Sequence, residues 1–474
     1  SRDTVLTASV WVVTKSNERC HIVIGDQPDC AAVTTVTTVR AAIHHWPFAS
    51  EAHATGATVT ATHVELRFID KPAHVGWTPA DDSCRCGGLF TLQAMTLSLS
   101  LCRDITRRIM GFYHARPRHD NGIRFAHADS WAGTGRIDVV PRDAREAHEA
   151  EFLAPLATRS FGAGNRETPE EPDPYRTCFE RDRDRILHAS SFRRLAGKTQ
   201  VFVFPEDHQR TRLTHALEVA QVAVSISRAL GLNVALTEAI ALGHDCGHGP
   251  GGHASEDALS PYVEGGYDHA VWGADVALVS LNLCKETLDG IRNHSWSRPA
   301  PATPEGEVVS WADRIAYVCH DFEDAVSTNL VDPGHLPDEV RARCGTSRGA
   351  QLRAFISAMI EAARVSGRIG MTGETADALA AFRKFNYDNI YMREASRAQA
   401  KSVIDLLRAL VEHYHAHPEH MAAAFDGAVG GARSNEALLQ AVTYVGGMTD
   451  RFACRQGVAL LNYDPARLPR GIDV

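Results

Sequence analysis

From residue 173 onward, hydrophobic residues recur at the spacing of amphipathic helices. The segment 211–230 shows it best: its hydrophobic side is formed by Leu213, Leu217, Ala220, Val224 and Leu230. Gly231 then predicts the end of that helix, because glycine readily adopts the left-handed conformation of helix C-termini. Similar patterns cover residues 268–283, 308–326, 351–365 and 376–391, and strand patterns are scarce after Phe204. The sequence therefore predicts a mainly α domain.

The first 115 residues have a different pattern. Short β-rich runs cover residues 5–13 and 21–24, and residues 64–68 alternate hydrophobic with charged side chains, as a half-buried strand does. We expect an intervening helix over residues 31–46 and a longer one over 89–112. Residues 1–115 are thus predicted to form a small α+β module. It contains no recognisable chemical constellation, which favours an interaction or regulatory role.

Charge and the spacing of glycine and proline suggest the remaining boundaries. Residues 116–172 are rich in charged residues, Gly and Pro and are interpreted as a linker and lead-in. The helical part then divides into a core over 173–330 and a C-terminal part over 331–474.

Composition narrows the class of protein. The chain has 474 residues and a formal net charge of −9, which disfavours bulk binding to nucleic acid; a single-stranded nucleic acid partner is not indicated. No hydrophobic run approaches the roughly 18–20 residues of a membrane span, and the N-terminus lacks a signal-like pattern. Eleven cysteines without regular spacing favour reduced thiols. We expect a cytoplasmic protein that does not bind membranes.

The strongest concentration of chemical groups is the stretch GHDCGHGPGGHASE at residues 243–256. It places three histidines, two carboxylates and five glycines directly after the hydrophobic run 234–242. The run predicts a helix that ends in a glycine-rich loop, which would carry imidazoles and carboxylates into an open space. Such a stretch is typical of a site for a metal and a polar substrate.

Two further residues extend this candidate site. His215 lies 29 residues before His244-Asp245, a separation that a helix hairpin can bring together. Asp313 lies in a hydrophobic helical segment, where a carboxylate is costly unless it is paired or bound to metal. Two imidazoles and two carboxylates suit a divalent ion such as manganese, magnesium or iron better than a thiolate zinc site.

The order His215, His244-Asp245, Asp313 resembles the H…HD…D signature of the HD superfamily of metal-dependent phosphohydrolases. More narrowly, the sequence is similar to the deoxynucleoside triphosphate triphosphohydrolases, the dGTPase-like family, over roughly residues 155–455. The similarity is carried by FERDRDRILH at 179–188, FRRLAGKTQVF at 192–202, RLTHALEV at 212–219, HASEDAL at 253–259, DRIAY at 313–317 with HD at 320–321, and GMTDR at 447–451.

The resemblance implies a fold and a reaction. The fold is an HD-domain helical core with a helical C-terminal extension. The reaction is the attack of water on the α-phosphorus of a dNTP, dGTP in particular, releasing deoxynucleoside and triphosphate. It also implies Mn²⁺ or Mg²⁺, with Fe, Co or Ni as alternatives, held by His215, His244, Asp245 and Asp313, and a homo-oligomer, commonly a hexamer or tetramer.

The resemblance also implies roles for other residues. The predicted catalytic residues are His253 with Glu256, His269, and His248, which lies one turn after His244 if that helix continues. The predicted substrate contacts are Arg212 to phosphate, Gln200 and Asp321 to the sugar 3′-hydroxyl, Tyr317 close to C2′, and Tyr387 and Tyr391 as candidate wall residues.

Two other interpretations of the sequence stay open. One is an HD phosphohydrolase that acts on a different nucleotide, such as a monophosphate or a signalling nucleotide. The other is a dNTP-binding sensor that signals through the N-terminal module. The product released from the nucleotide distinguishes them.

Overall fold

The computed structural model describes residues 138–201 and 209–469 in full, residues 126, 127 and 135, and the backbone of four strands nearer the N-terminus. The chain divides into two compact units, Ser1–Ile137 and Asp138–Val474.

The first unit contains an antiparallel sheet in which the strands are ordered β1-β2-β3-β4. The strands are β1 Ala8–Ser16, β2 Arg19–Asp26, β3 Thr37–Ala42 and β4 Val64–Phe68. The helix expected over residues 31–46 is wrong, because β3 lies within it and pairs with both β2 and β4. Three consecutive β-branched residues, Thr37, Thr38 and Val39, favour the extended conformation there. The helix predicted over 89–112 lies outside the described residues.

The second unit is built from helices, which confirms the mainly α prediction. They are α1 Arg142–Phe152, α2 Cys178–His188, α3 Ser190–Arg194, α4 Arg212–Leu230, α5 Val234–Gly243, α6 His253–Leu259, α7 His269–Trp272, α8 Lys285–Arg292, α9 Pro304–Ser327, α10 Asp338–Cys344, α11 Arg348–Ser366, α12 Gly373–Asn386, α13 Glu394–Ala416, α14 Asn435–Gly446 and α15 Asp450–Leu461. Wider π-helical turns at Gly273–Ala277 and Tyr387–Tyr391 follow α7 and α12. Short 3₁₀ turns are Leu195–Gly197, Ser260–Tyr262, Val279–Leu281, Pro333–His335, Pro418–Phe425 and Pro465–Arg467.

A first hydrophobic core surrounds α5. This helix is mostly buried, and its residues Leu236 and Ile240 are completely so, as expected for a helix near the centre of a domain. Helices α2, α4, α8 and α9 pack around it. The predicted helix over 211–230 is confirmed as α4, with Thr211 capping its N-terminus and Gly231, at φ 67°, ending it. The core thereby fixes the ends of α4 and α5 beside each other.

A second core surrounds α13, whose hydrophobic side includes Leu406, Leu407 and Leu410. Helices α6, α14 and α15 pack against it. The first turn of α13 and the loop before α6 face the ends of α4 and α5, so a cavity lies between the two cores. None of the helices in the described part of the chain is long and hydrophobic enough to cross a bilayer.

Candidate functional site

The four residues predicted as metal ligands lie on three elements that converge below the cavity. His215 is in the first turn of α4, His244 and Asp245 directly follow α5, and Asp313 is near the middle of α9. The predicted end of α5 is confirmed, since the helix stops at Gly243. Packing of α5 against both α4 and α9 brings the four side chains together.

Their ligand atoms form one compact cluster. His215 Nε2 lies 3.0 Å from Asp313 Oδ1 and 3.9 Å from Asp245 Oδ2. His244 Nε2 lies 3.4 Å from Asp245 Oδ1 and 3.6 Å from Asp313 Oδ1. The imidazoles of His215 and His244 are buried, so the cluster combines four polar groups in a largely dry place. Such a combination is stable only if the charges are paired or bind an ion.

The hydrogen bonds around the cluster suit a divalent cation. His244 Nδ1 donates to the carbonyl of Ala241 at 2.7 Å, which turns Nε2 toward the cluster, where this buried atom has no hydrogen-bond partner. Although burial opposes the charged form, the carboxylates of Asp245 and Asp313 raise the pKa of His244 to about 9, so this position attracts positive charge. An outer hydrogen bond of this kind is the usual way in which a protein orients a ligating histidine. The geometry of the donor set therefore fits a metal ion.

Arg212 keeps one of these carboxylates ionised. Its Nη1 donates to Asp245 Oδ2 at 2.7 Å, and both side chains are buried. Burial by itself would raise the pKa of Asp245, but Arg212 and His244 together hold that pKa well below its usual range. The ionised form of Asp245 is therefore favoured.

His294 also belongs to the cluster, and the sequence interpretation missed it. It follows the end of α8, is buried, and donates from Nδ1 to the carbonyl of Ile291 at 2.8 Å. Its Nε2 lies 3.2 Å from His269 Nε2, and His294 could hold an ion together with His244 and Asp313. Burial, with His244 and His269 nearby, lowers the pKa of His294 to about 3, so the ring is neutral. No recognised motif surrounds it in the sequence.

A single carboxylate joins two of the predicted catalytic histidines. Glu256 Oε2 accepts a hydrogen bond from His253 Nδ1 at 2.8 Å, and Glu256 Oε1 accepts one from His269 Nδ1 at 2.7 Å. The His269 backbone N–H also donates to Oε1. Although burial opposes ionisation, the bonds from the two imidazoles lower the pKa of Glu256 far below its usual value. Glu256 thus orients both rings.

The two rings differ in exposure. The side chain of His253 is 73% exposed at the cavity, whereas that of His269 is 9% exposed. His269 stacks on His248 with ring centroids 3.7 Å apart, and its Nε2 lies against His294. Of the two rings, that of His253 is therefore much the more accessible from the cavity.

His248 reaches the site although α5 has already ended. Residues 244–247 form a turn rather than a further helical turn, yet His248 Nε2 lies 3.2 Å from Asp245 Oδ1. Burial and the charge of Arg212 lower the pKa of His248 well below its usual value, so this ring is neutral. The helical continuation considered for His248 is wrong, but the residue joins the cluster through the turn.

The glycine-rich loop is held by close backbone packing at Gly247. A Cβ atom there would lie 2.0 Å from the carbonyl oxygen of His269 and 2.3 Å from the backbone nitrogen of Gly273. Tyr267 donates from its hydroxyl to the Gly247 carbonyl at 2.7 Å, which fixes the same point. The close approach explains why the loop contains glycine at this position.

We expect Gly247→Ala to destabilise the protein by more than about 3 kcal/mol, because overpacking against backbone cannot be relieved by a side-chain rotation. The measurement is the free energy of unfolding in urea. Gly349→Ala is the matched control: no atom lies within 4 Å of the added methyl group, and the residue is in α11, so its effect should be neutral or stabilising by up to about 1 kcal/mol. Equal effects of the two substitutions would contradict the packing argument.

A cavity of about 720 Å³ opens above the cluster. Its wall includes Arg212, Arg314, Arg383, Arg393 and Arg397, of which the last four were not predicted as site residues. Nε and Nη2 of Arg212 are buried without a hydrogen-bond partner. Guanidinium groups around a cavity of this size are suited to a polyanionic ligand of small-molecule dimensions.

The remaining predicted substrate contacts line the same cavity. Gln200, Asp321, Tyr317, Tyr387 and Tyr391 all lie on its wall. Gln200 Oε1 and Asp321 Oδ1 are buried oxygens without hydrogen-bond partners, while the Tyr391 hydroxyl donates to Asp321 Oδ2. Burial raises the pKa of Asp321 to about 8. The Tyr317 hydroxyl accepts from Arg383 Nε at 3.0 Å, and Tyr387 is half exposed.

The sequence has recognisable relatives. Residues 212–318 match the HD domain, and residues 369–457 match the phosphohydrolase-associated domain. A deoxyguanosinetriphosphate triphosphohydrolase-like protein from Caldanaerobacter subterraneus subsp. tengcongensis is 38% identical over 335 residues, which cover 69% of this chain and 96% of that protein. One from Clostridium perfringens is 39% identical over 332 residues, covering 66% of this chain and 96% of that protein. Among solved structures, a hypothetical protein from Aquifex aeolicus aligns with a TM-score of 0.37 at 16% identity, over 60% of this chain and 69% of that one.

Proposed function

Because the chain belongs to the HD superfamily and, within it, to the deoxyguanosinetriphosphate triphosphohydrolase-like proteins, we propose that this hydrolase cleaves a deoxynucleoside triphosphate, dGTP in particular, to the deoxynucleoside and triphosphate. The observation that carries the proposal is the position of the His215, His244, Asp245 and Asp313 cluster at the base of an arginine-lined cavity. That arrangement supports the proposal, because guanidinium groups suited to phosphate lie in the wall above groups able to hold a divalent ion.

The four clustered residues would hold Mn²⁺ or Mg²⁺, and the unpartnered Nε2 of His244 supports this assignment. A bound divalent ion supplies charge to a phosphate oxygen and acidity to a water. His294 is an additional candidate ligand. Two of these candidate ligands, His244 and His294, are oriented by hydrogen bonds to backbone carbonyl groups, so their rings would need little reorganisation on binding.

Proton transfer is assigned to His253. With Nδ1 bonded to Glu256, its Nε2 is the atom available to take a proton from water or to give one to the leaving sugar oxygen. His269, also predicted as catalytic, shares Glu256 but its Nε2 lies against His294, so the geometry favours an orienting role for it over direct proton transfer. His248 stacks on His269 and keeps that ring in place.

The cavity wall would bind the two ends of the substrate. The free nitrogens of Arg212 would donate to phosphate oxygens near the metal ligands, and Arg383, Arg393 and Arg397 would neutralise the rest of the triphosphate. Gln200 Oε1 would accept a sugar hydroxyl, because a buried acceptor without a partner is costly until a ligand supplies a donor. Asp321 Oδ1 would share a hydrogen bond with the same hydroxyl, as donor or acceptor according to its protonation, since burial raises its pKa to about 8. Tyr317 would exclude a 2′-hydroxyl by leaving it without room or partner.

The test incubates the purified chain with each of four dNTPs and four rNTPs, with Mn²⁺ or Mg²⁺, and separates the products by anion exchange. We expect inorganic triphosphate and free deoxynucleoside, removal of activity by EDTA, and little turnover of ribonucleotides. Release of orthophosphate or pyrophosphate would overturn the proposal in favour of an HD phosphohydrolase with another reaction. Binding of dNTP without turnover would favour the sensor.

A further inference from the structure

We propose that the C-terminal end of α13 and the turn that follows it form a second divalent-metal site, built from His413, His417 and His420 and suited to an ion of the zinc class. These three residues are called the histidine cluster below. His413 Nε2 and His420 Nδ1 are 2.8 Å apart, and the three ring centroids are separated by 5.0, 5.0 and 5.6 Å. The cluster lies outside the cavity described above.

The backbone brings the three rings together. His413 and His417 are four residues apart at the end of α13, a spacing that places side chains on the same side of a helix. The His417 backbone N–H still donates to the His413 carbonyl at 2.8 Å. Pro418 then begins the 3₁₀ segment Pro418–Phe425, whose first turn returns His420 to His413. The cluster is therefore a consequence of how α13 ends.

The chemistry of the pair His413 and His420 suits a transition metal. Imidazole nitrogens are good ligands for zinc, copper and nickel. Two nitrogens bound to one tetrahedral zinc ion at about 2.0–2.1 Å lie about 3.4 Å apart, so the pair would open by about 0.6 Å. Their present hydrogen bond shows that the two nitrogens face each other across a short gap. An ion would take the place of the shared proton, which moves to the other nitrogen of the ring that donated it.

The imidazole of His417 would be the third ligand, approaching the pair from the solvent side. The side chain of His417 is 53% exposed, so it can rotate toward the pair without disturbing the core. In its present position His417 Nδ1 lies 3.4 Å from Glu419 Oε1, an exposed contact that the ring would exchange for the ion when it rotates. The site would thus have three nitrogen ligands and an open position for water.

The local electrostatics favour a cation. Burial and the neighbouring rings of His420 and His417 lower the pKa of His413, so this ring tends to be neutral and able to bind metal. The cluster also lies at the C-terminus of a long helix, where the partial negative charge of the free carbonyl groups attracts cations. A divalent ion would bind the neutral imidazole and would also be attracted by the negative end of the helix.

The proposed ion would act on structure and not on the substrate. The start of α13 lines the cavity, but Arg397 and His413 are sixteen residues apart on the same helix, or about 24 Å along its axis. Binding would tie α13 to the segment after it. It would therefore stabilise the folded chain, with no need for occupation of the catalytic metal site.

The test uses the full-length chain without an affinity tag. Zinc bound per chain is measured by equilibrium dialysis followed by elemental analysis, for the unaltered chain and for His413→Ala, His420→Ala and the control His335→Ala, an exposed histidine outside the cluster. Loss of an outer partner alone weakens metal sites by about 10–100-fold, so each cluster variant should lose at least that much affinity for one equivalent of zinc.

The same proteins are assayed for dNTP hydrolysis in Mn²⁺, and their melting temperatures are compared with and without zinc. We expect the cluster variants to keep the unaltered hydrolysis rate while losing the zinc-dependent rise in melting temperature. Asp245→Asn, which alters the proposed catalytic site, should still bind the equivalent of zinc that belongs to the histidine cluster. Unchanged zinc binding in both cluster variants, or equal loss in His335→Ala, would overturn the proposal.

Discussion

Asp245→Asn is expected to reduce nucleotide hydrolysis by at least about 10³-fold and to lower the divalent metal retained by the chain. The substitution keeps the size of the side chain but removes the negative charge that faces His215, His244 and His248. A metal supplies several kcal/mol of charge stabilisation in phosphoryl hydrolysis, and each 1.36 kcal/mol is a factor of ten in rate. The readouts are triphosphate release and metal content by elemental analysis.

This variant also leaves Arg212 without its ionic partner in a buried position. Breaking a buried pair commonly costs about 3–5 kcal/mol, so the free energy of unfolding must be measured beside the rate. Asp338→Asn is the matched control, because Asp338 pairs with Arg341 at the surface and is 90% exposed. A folded Asp245→Asn protein with unaltered activity and metal content would show that the cluster is not the catalytic metal site.

Glu256→Gln is expected to reduce the rate by about 10²–10⁴-fold, the range typical of a lost general acid–base arrangement, with a smaller effect on stability. The carboxylate accepts three hydrogen bonds, from His253 Nδ1, His269 Nδ1 and the His269 backbone. A carboxamide cannot accept equally at both oxygen positions, since one of them becomes an NH₂ donor. At least one imidazole would therefore lose its orientation.

A variant that carries both His253→Ala and Glu256→Gln tests whether the two residues act as one catalytic unit or independently. If His253 and Glu256 act together, His253→Ala and Glu256→Gln combined should be scarcely slower than the worse single variant. Glu361→Gln, at an exposed pair with Arg364, is the control for a lost surface carboxylate. If the fold-loss in rate of the double variant equalled the product of the two single fold-losses, His253 and Glu256 would be acting independently.

Much of the secondary structure around the site could be predicted from the local pattern of hydrophobic and polar residues. The hydrophobic stripe of α4, its stop at Gly231 and the end of α5 before His244 are properties of short segments, in which side-chain spacing and glycine act directly on the backbone. Asp313 was recognisable because a carboxylate in a hydrophobic helix needs a partner. The mainly α character of the second unit follows from the same signals.

Other features depend on packing between segments far apart in sequence. His294 has no distinctive neighbours, and only the docking of α8 against α5 places its Nε2 in the cluster. The joint role of Glu256 arises because α7 brings His269 back to α6. The helix expected at 31–46 failed because pairing with two neighbouring strands and a β-branched run outweighed the helical pattern.

The sequence by itself determined the mainly α second unit, the residue types of the candidate metal cluster and the family to which the chain belongs. Each of these depends on the spacing of residues over short segments, or on the order of motifs along the chain, and both can be read directly from the sequence. Only the tertiary structure decided which of many histidines meet, which arginines face the cavity and how α13 ends in a histidine cluster. The physical reason is that ligand distances and burial are set by contacts between helices, and no local pattern specifies those contacts.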